Sequence, residues 1–105
     1  AGWAVVRLKF ELSEAADNAI YTIYPTSILE EEGATDELIR EMLLDNDLLG
    51  VYNFPVQSLE DVQLEWGYDY KLFAIAFDKN ENAGELFTLD IPALSRSGAS
   101  PATEY

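Results

Sequence analysis

Residues 68–77 read Tyr-Asp-Tyr-Lys-Leu-Phe-Ala-Ile-Ala-Phe, and from Leu72 onward both alternating sets of positions are apolar. A strand with one wet face alternates apolar and polar residues, whereas one that is apolar on both faces must be covered on both. This segment is therefore expected at the centre of a sheet. Residues 78–84 (DKNENAG) follow with turn chemistry, and residues 85–91 (ELFTLDI) return as an antiparallel strand that Pro92 ends.

Toward the N-terminus, Ala4, Val6, Leu8, Phe10 and Leu12 share one parity while Arg7, Lys9 and Glu11 occupy the other. That period of two predicts a half-buried strand. Residues 13–18 read as a loop, and residues 19–24 (AIYTIY) as a second, β-branched and aromatic strand stopped by Pro25. The two together predict a hairpin with a long connection. Residues 51–56 are extended but interrupted by Pro55, which suits an edge segment or a loop. Residues 58–66 fit a short helix or a strand equally well.

The middle of the chain changes period. Ser27 and Glu30 have capping-box spacing, and Gly33 is placed to end a short helical turn. Thr35 is a good N-cap for a longer helix, with Asp36 and Glu37 in its first turn, where carboxylates favour the helix dipole. Leu38, Ile39, Met42 and Leu43 supply its apolar stripe. Asp45-Asn46-Asp47 weakens the helix and Gly50 closes the region. The expected architecture is α+β: an antiparallel sheet of four or five strands with one main helix packed on one face. Residues 1–92 are expected to form a single acidic domain, and residues 93–105 (ALSRSGASPATEY) a flexible C-terminal tail.

Composition narrows the chemistry. With 49% hydrophobic and 12% aromatic residues in 105, the chain can bury a modest core and does not read as a disordered acidic tail. No run approaches the ~18 apolar residues of a membrane span, and no basic, apolar-cored leader is visible. A cytoplasmic setting is expected. The chain has no cysteine and no histidine. Disulfides, thiolate nucleophiles, and the commonest general base and metal ligand are therefore excluded.

Charge is the most uneven property. Residues 11–69 hold fifteen acids against one base, Arg40, while the flanks balance five against five, so the net charge of −14 belongs to the central stretch. A general adaptation to high salt would spread acids over the whole chain. The neutral flanks count against that explanation without removing it, and segregated charge also speaks to partners, attracting cationic surfaces and repelling phosphate. On the longer helix Glu37, Glu41 and Asp45 recur at i, i+4 and i+8, a row of carboxylates about 6 Å apart along the axis. Like charges at this spacing cost helix stability. A few such residues would simply solvate an outer face; fifteen acids against one base need more than solvation.

Other sites read less well. Asp45 to Gly50 approximates the start of a calcium loop, but the fifth position is Leu49 and the twelfth is Val56 in place of a bidentate Glu. In residues 78–84 the glycine falls one place late and the twelfth position is Leu89, so a hairpin turn is the better reading. No metal and no cofactor is expected. No carboxylate pair is set apart for acid–base work, and no Gly-x-Ser-x-Gly elbow or phosphate-cradling glycine loop is present. Six scattered cations supply no stripe for direct nucleic-acid binding, which leaves the aromatic residues to core packing.

The sequence thus points to a non-enzymatic acidic binding protein. The expected role is an inhibitor that mimics nucleic-acid charge and occupies the basic groove of a nucleic-acid-binding protein. The alternative is an immunity or antitoxin-type protein that neutralises a basic nuclease toxin. The expected contact residues are Glu30, Glu31, Glu32, Asp36, Glu37, Glu41, Asp45 and Asp47, with Glu60, Asp61, Glu65 and Asp69 as a second group. Tyr52, Phe54 and Trp66 are candidate aromatic anchors.

Overall fold

The computed structural model describes residues 3–9, 16–45, 48, 50–55, 59–93 and 103–104. Along the chain run β1 (Trp3–Lys9), β2 (Ala16–Pro25), α1 (Thr26–Glu32), α2 (Asp36–Leu44), β3 (Tyr52–Pro55), β4 (Leu59–Glu65), β5 (Tyr70–Asp78), β6 (Ala83–Ile91) and β7 (Thr103–Glu104). The fold is α+β. Its strands form two sheets: a four-stranded antiparallel sheet in the order β3-β2-β5-β6, and a second sheet in the order β4-β1-β7.

The β5 strand is central, as its composition requires. Its nine residues pair with β2 on one side and β6 on the other, with Ile75 opposite both Ile20 and Leu86. Alternation then divides its side chains between two cores. Leu72, Ala74 and the half-buried Ala76 pack with Val6, Leu8 and Leu64 of the second sheet. Phe73, Ile75 and the half-buried Phe77 pack with Leu29, Ile39 and Leu43 of the helices. The molecule is thus layered, with the β4-β1-β7 sheet on one face of the four-stranded sheet and both helices on the other. Leu72, Phe73, Ala74 and Ile75 are all buried. The three larger side chains each contribute roughly 1.5–3 kcal/mol by leaving water.

Two expectations change and one open reading is decided. The first two strands do not form a hairpin. β1 pairs antiparallel with β4, Val6 opposite Val62, while β2 pairs with β3 and β5. Both edges of β2 are taken, by β3 and β5, and both its faces are covered, Ala19 and Tyr21 in one core and Ile20 and Tyr24 in the other. β1, polar on one side, suits the outer sheet. Second, residues 59–65 are a strand: Val62 and Leu64 turn inward beside Val6, and that burial overrides the helix-forming Glu, Gln and Leu. Third, two short helices stand where one main helix was expected. Residues 52–55 do form an edge strand of the four-stranded sheet. Of the loop expected at 13–18, residues 16–18 belong to β2, which begins at Ala16, and residues 13–15 lie outside the described residues.

Local capping explains the helical pair. α1 follows directly from Pro25, whose φ of −59° and ψ of 133° are extended. Ser27 is not its cap, because the helix has already begun at Thr26. No side chain caps this end; the Thr26 N–H instead donates to the Asp69 carbonyl at 2.8 Å. Gly33 closes α1 in the left-handed conformation (φ +65°), its own N–H and that of Ala34 returning to the carbonyls of Glu30 and Leu29. Two residues later Thr35 caps α2, its hydroxyl accepting the Leu38 N–H at 3.1 Å. Replacing Thr35 with Ala should cost about 1 kcal/mol in a denaturant melt, and Thr35→Ser should restore most of it. Equal losses in the two variants would show that the hydroxyl contributes nothing.

Other parts of the chain are pinned by polar contacts. Buried Thr22 donates its hydroxyl to the Gly50 carbonyl at 3.2 Å, fixing the turn that leads into β3. The Tyr70 hydroxyl accepts the Glu65 N–H at 3.1 Å, and Asp69 accepts the Ala93 N–H at 2.7 Å. Of the tail, Thr103–Glu104 runs parallel to Val6–Arg7. Residues 94–102 and 105 lie outside the described residues, as do Phe10, Leu12, Asn46 and Asp47. No helix among the described residues is long and apolar enough to cross a membrane.

Candidate acidic binding surface

The helices carry the densest charge. Glu30, Glu31 and Glu32 lie on α1, Asp36, Glu37 and Glu41 on α2, and Asp45 caps the C-terminus of α2; all seven are exposed. A helix packed through Ile39 and Leu43 must present Glu37 and Glu41 outward, because residues two positions off the buried stripe point away from it. Arg40 is the one base in this layer. Its guanidinium donates to the Gly84 carbonyl at 2.9 Å, tying α2 to the start of β6. Among the described residues, only Asp36 of the seven carboxylates has a cationic partner, Lys71 Nζ at 2.9 Å. Lys71 also stands over the Phe73 ring, 5.4 Å from its centroid. Beside this pair, Glu30, Asp36, Lys71 and Asp90 border a hollow of about 450 Å³.

The second expected group is placed elsewhere. Glu60, Asp61 and Glu65 lie on β4, in the sheet on the opposite side of the four-stranded sheet from the helices. There the register sets Asp61 across from Arg7 and Glu60 across from Leu8. Asp69 is separate again. Its carbonyl holds the first N–H of α1 and its carboxylate holds Ala93, so its polar atoms are engaged in joining segments. The structure therefore places Glu30, Glu31, Glu32, Asp36, Glu37, Glu41 and Asp45, all exposed, in the helical layer and the β4 acids in the other sheet. Asp47 lies outside the described residues.

Of the aromatic candidates, Tyr52 is 57% exposed and stacks on buried Tyr21, with centroids 5.3 Å apart. Trp66 is half-buried, with its indole Nε1 buried and without an acceptor among the described residues. Phe54 is on β3, the edge strand, opposite Ala19. Sequence reasoning missed a different apolar feature. Leu38, assigned to the buried stripe, is 42% exposed, and Ile28 of α1 is 44% exposed. Both line a groove between the helices, together with Met42 and Leu48. The signal was present in the spacing, because Leu38 and Met42 lie to one side of Ile39 and Leu43 on a helical projection.

The Asp78 loop is a hairpin turn. Its carboxylate accepts the N–H groups of Asn80 and Asn82 at 2.8 and 2.9 Å, and the Asn82 side-chain amide at 3.0 Å. The Asn82 backbone N–H, then its side-chain amide, with a smaller part from the Asn80 N–H, hold the Asp78 carboxyl below the usual carboxylate range. A depressed folded pKa contributes stability above the unfolded value of about 4, and that contribution is lost as pH falls through the folded value. Asp78→Asn should therefore melt below the native chain at neutral pH, with the gap closing under acid. A gap independent of pH would assign the effect to turn geometry and not to charge.

Among the described residues no group of three acidic side chains is placed to hold a metal ion. Comparison of the chain with protein-family models, with curated proteins and with solved structures finds no match.

Proposed function

We propose that the chain is a non-enzymatic, cytoplasmic acidic binding protein, an inhibitor that imitates nucleic-acid charge and occupies the basic groove of a nucleic-acid-binding protein. One observation carries this reading: seven exposed carboxylates against a single arginine within residues 26–45, on one layer of the fold. That surface produces a local negative field strong enough to steer a cationic partner and to exclude nucleic acid itself. The expense in self-repulsion, with Glu37 and Glu41 one turn apart, is unrewarded by any contact inside the described chain.

Affinity capture from the source cell's lysate, with and without excess competitor DNA, tests the reading. Recovery of a basic nucleic-acid-binding protein that competitor DNA displaces is the expected result. Recovery of one nuclease toxin, inhibited stoichiometrically, would move the reading to an immunity protein. Turnover of a substrate by the chain alone, abolished by changing one or two carboxylates, would overturn both.

A further inference from the structure

The acidic surface is not uniformly polar. Between the two helices that carry the acids, a groove of about 290 Å³ is lined by Ile28 and Leu29 from α1 and Leu38, Ile39 and Met42 from α2. Leu29 and Ile39 form its buried floor, whereas Ile28 and Leu38 stand more than 40% exposed at its lip. Exposed Glu31 lies three residues after Ile28, and exposed Glu41 three after Leu38. On a helix those positions are neighbours, so each apolar lip residue has a carboxylate beside it. Glu32 lines the groove directly.

We propose that this groove seats a basic amphipathic helix of the partner protein, its apolar residues between Ile28 and Leu38 and its lysines or arginines against Glu31, Glu32 and Glu41. The inference rests on the acidic-binder reading and names what that surface grips. Charge complementarity selects the occupant. A second copy of this face would set carboxylate against carboxylate across the groove, which costs several kcal/mol in like-charge contacts. An extended peptide would find no unpaired ladder of N–H and C=O groups to pair with, because helix walls satisfy their own. A helix needs only side chains at i, i+3 and i+4 to enter the groove. α2 spans nine residues, which at 1.5 Å per residue is about 13 Å of wall, enough for two turns of such a helix.

Two fluorescein-labelled peptides of ~18 residues, both of leucine and lysine only and of identical composition, provide the probe. One carries leucine at helical spacing; the other has the order shuffled to remove it. By fluorescence anisotropy the periodic peptide should bind at least about tenfold more tightly than the shuffled one. The double variant Ile28→Ser/Leu38→Ser should abolish that preference while leaving the affinity for the shuffled peptide unchanged. Ile28→Gln alone should reduce it in the same direction if the double variant fails to fold. Equal binding of both peptides by the native chain, with steep salt dependence, would overturn the groove and keep the acidic-binder reading. An affinity for the periodic peptide that itself survives an increase from about 50 to about 500 mM salt undiminished, with the preference over the shuffled peptide intact, would keep the groove and overturn the acidic-binder reading. Sedimentation as a dimer that Ile28→Ser/Leu38→Ser dissolves would assign the groove to a second copy and overturn the proposal.

Discussion

Reversing both charges of the outer row, Glu37→Lys with Glu41→Lys, should weaken binding to the captured partner by about 100-fold or more while the domain stays folded. Each reversal replaces an attraction by a repulsion at a cationic surface, and tenfold per position requires only about 1.4 kcal/mol. The folding cost is small because both side chains are exposed. Moving a positive charge into the first turn of α2, where Glu37 sits, forfeits about 0.3–1 kcal/mol of dipole interaction. The like-charge repulsion between the two positions is merely exchanged for another of the same size. Titration calorimetry beside a denaturant melt separates the two quantities. Unaltered affinity would reduce the row to the solvated face of an amphipathic helix. Reversal of Glu60 and Asp61 should do much less, because β4 lies across the four-stranded sheet from the helices.

Phe73→Ala should be the most damaging single truncation of the core. Its ring is 1% exposed and packs among Leu29, Ile39 and Leu43, so it joins both helices to the central strand. Removing a buried phenylalanine costs about 3–5 kcal/mol. That is a large share of the roughly 5–15 kcal/mol expected for a domain of this size. The melting temperature should fall by roughly 20 °C. Phe87 on β6 is the natural control: it is the same residue type, 58% exposed, and its truncation should stay within about 0.5 kcal/mol. Comparable losses at the two positions would contradict the layered core. Circular dichroism should also show the Phe73 variant losing helix signal before strand signal, since the β4-β1-β7 sheet packs on the far face of β5.

What the sequence disclosed followed from local chemistry. Residues 72–77 announced a covered central strand because no polar position was left to face water. Gly33 and Thr35 announced a helix end and a helix start because each meets a backbone requirement that few residues meet. Partners were less accessible. A period of two tells which residues share a face but not which strand lies alongside, and neighbours in sequence pair only about two-thirds of the time. β1 therefore looked like the mate of β2, although the two apolar faces of β2 suit the middle of a covered sheet. In residues 59–65 the period-two pair Val62 and Leu64 competes with Leu59 and Val62 at helical spacing, and only the register with β1 decides between them.

The candidate surface was legible as charge and illegible as shape. The density of acids in residues 30–45 could be counted, and their exposure followed from the helix period. The separation of the seven helical acids from Glu60, Asp61 and Glu65 on β4 could not, because it depends on which side of β5 each layer packs. The groove stayed hidden for a related reason. Leu38 and Met42 looked like more of the stripe that Ile39 and Leu43 bury, and only the placement of α1 leaves part of it open.

The pairing of β1 with β4 also sets a schedule for synthesis. Val6 meets Val62, so β1 waits for a partner about 56 residues further along the chain. At a translation rate of roughly 5–20 residues per second that interval is on the order of 3–11 seconds. Throughout it, Val6 and Leu8 have no sheet to enter, and the four-stranded sheet that covers them is itself completed only when β6 emerges. For a nascent chain this interval leaves apolar strand surface open to aggregation, at the strand that carries Arg7 and Lys9.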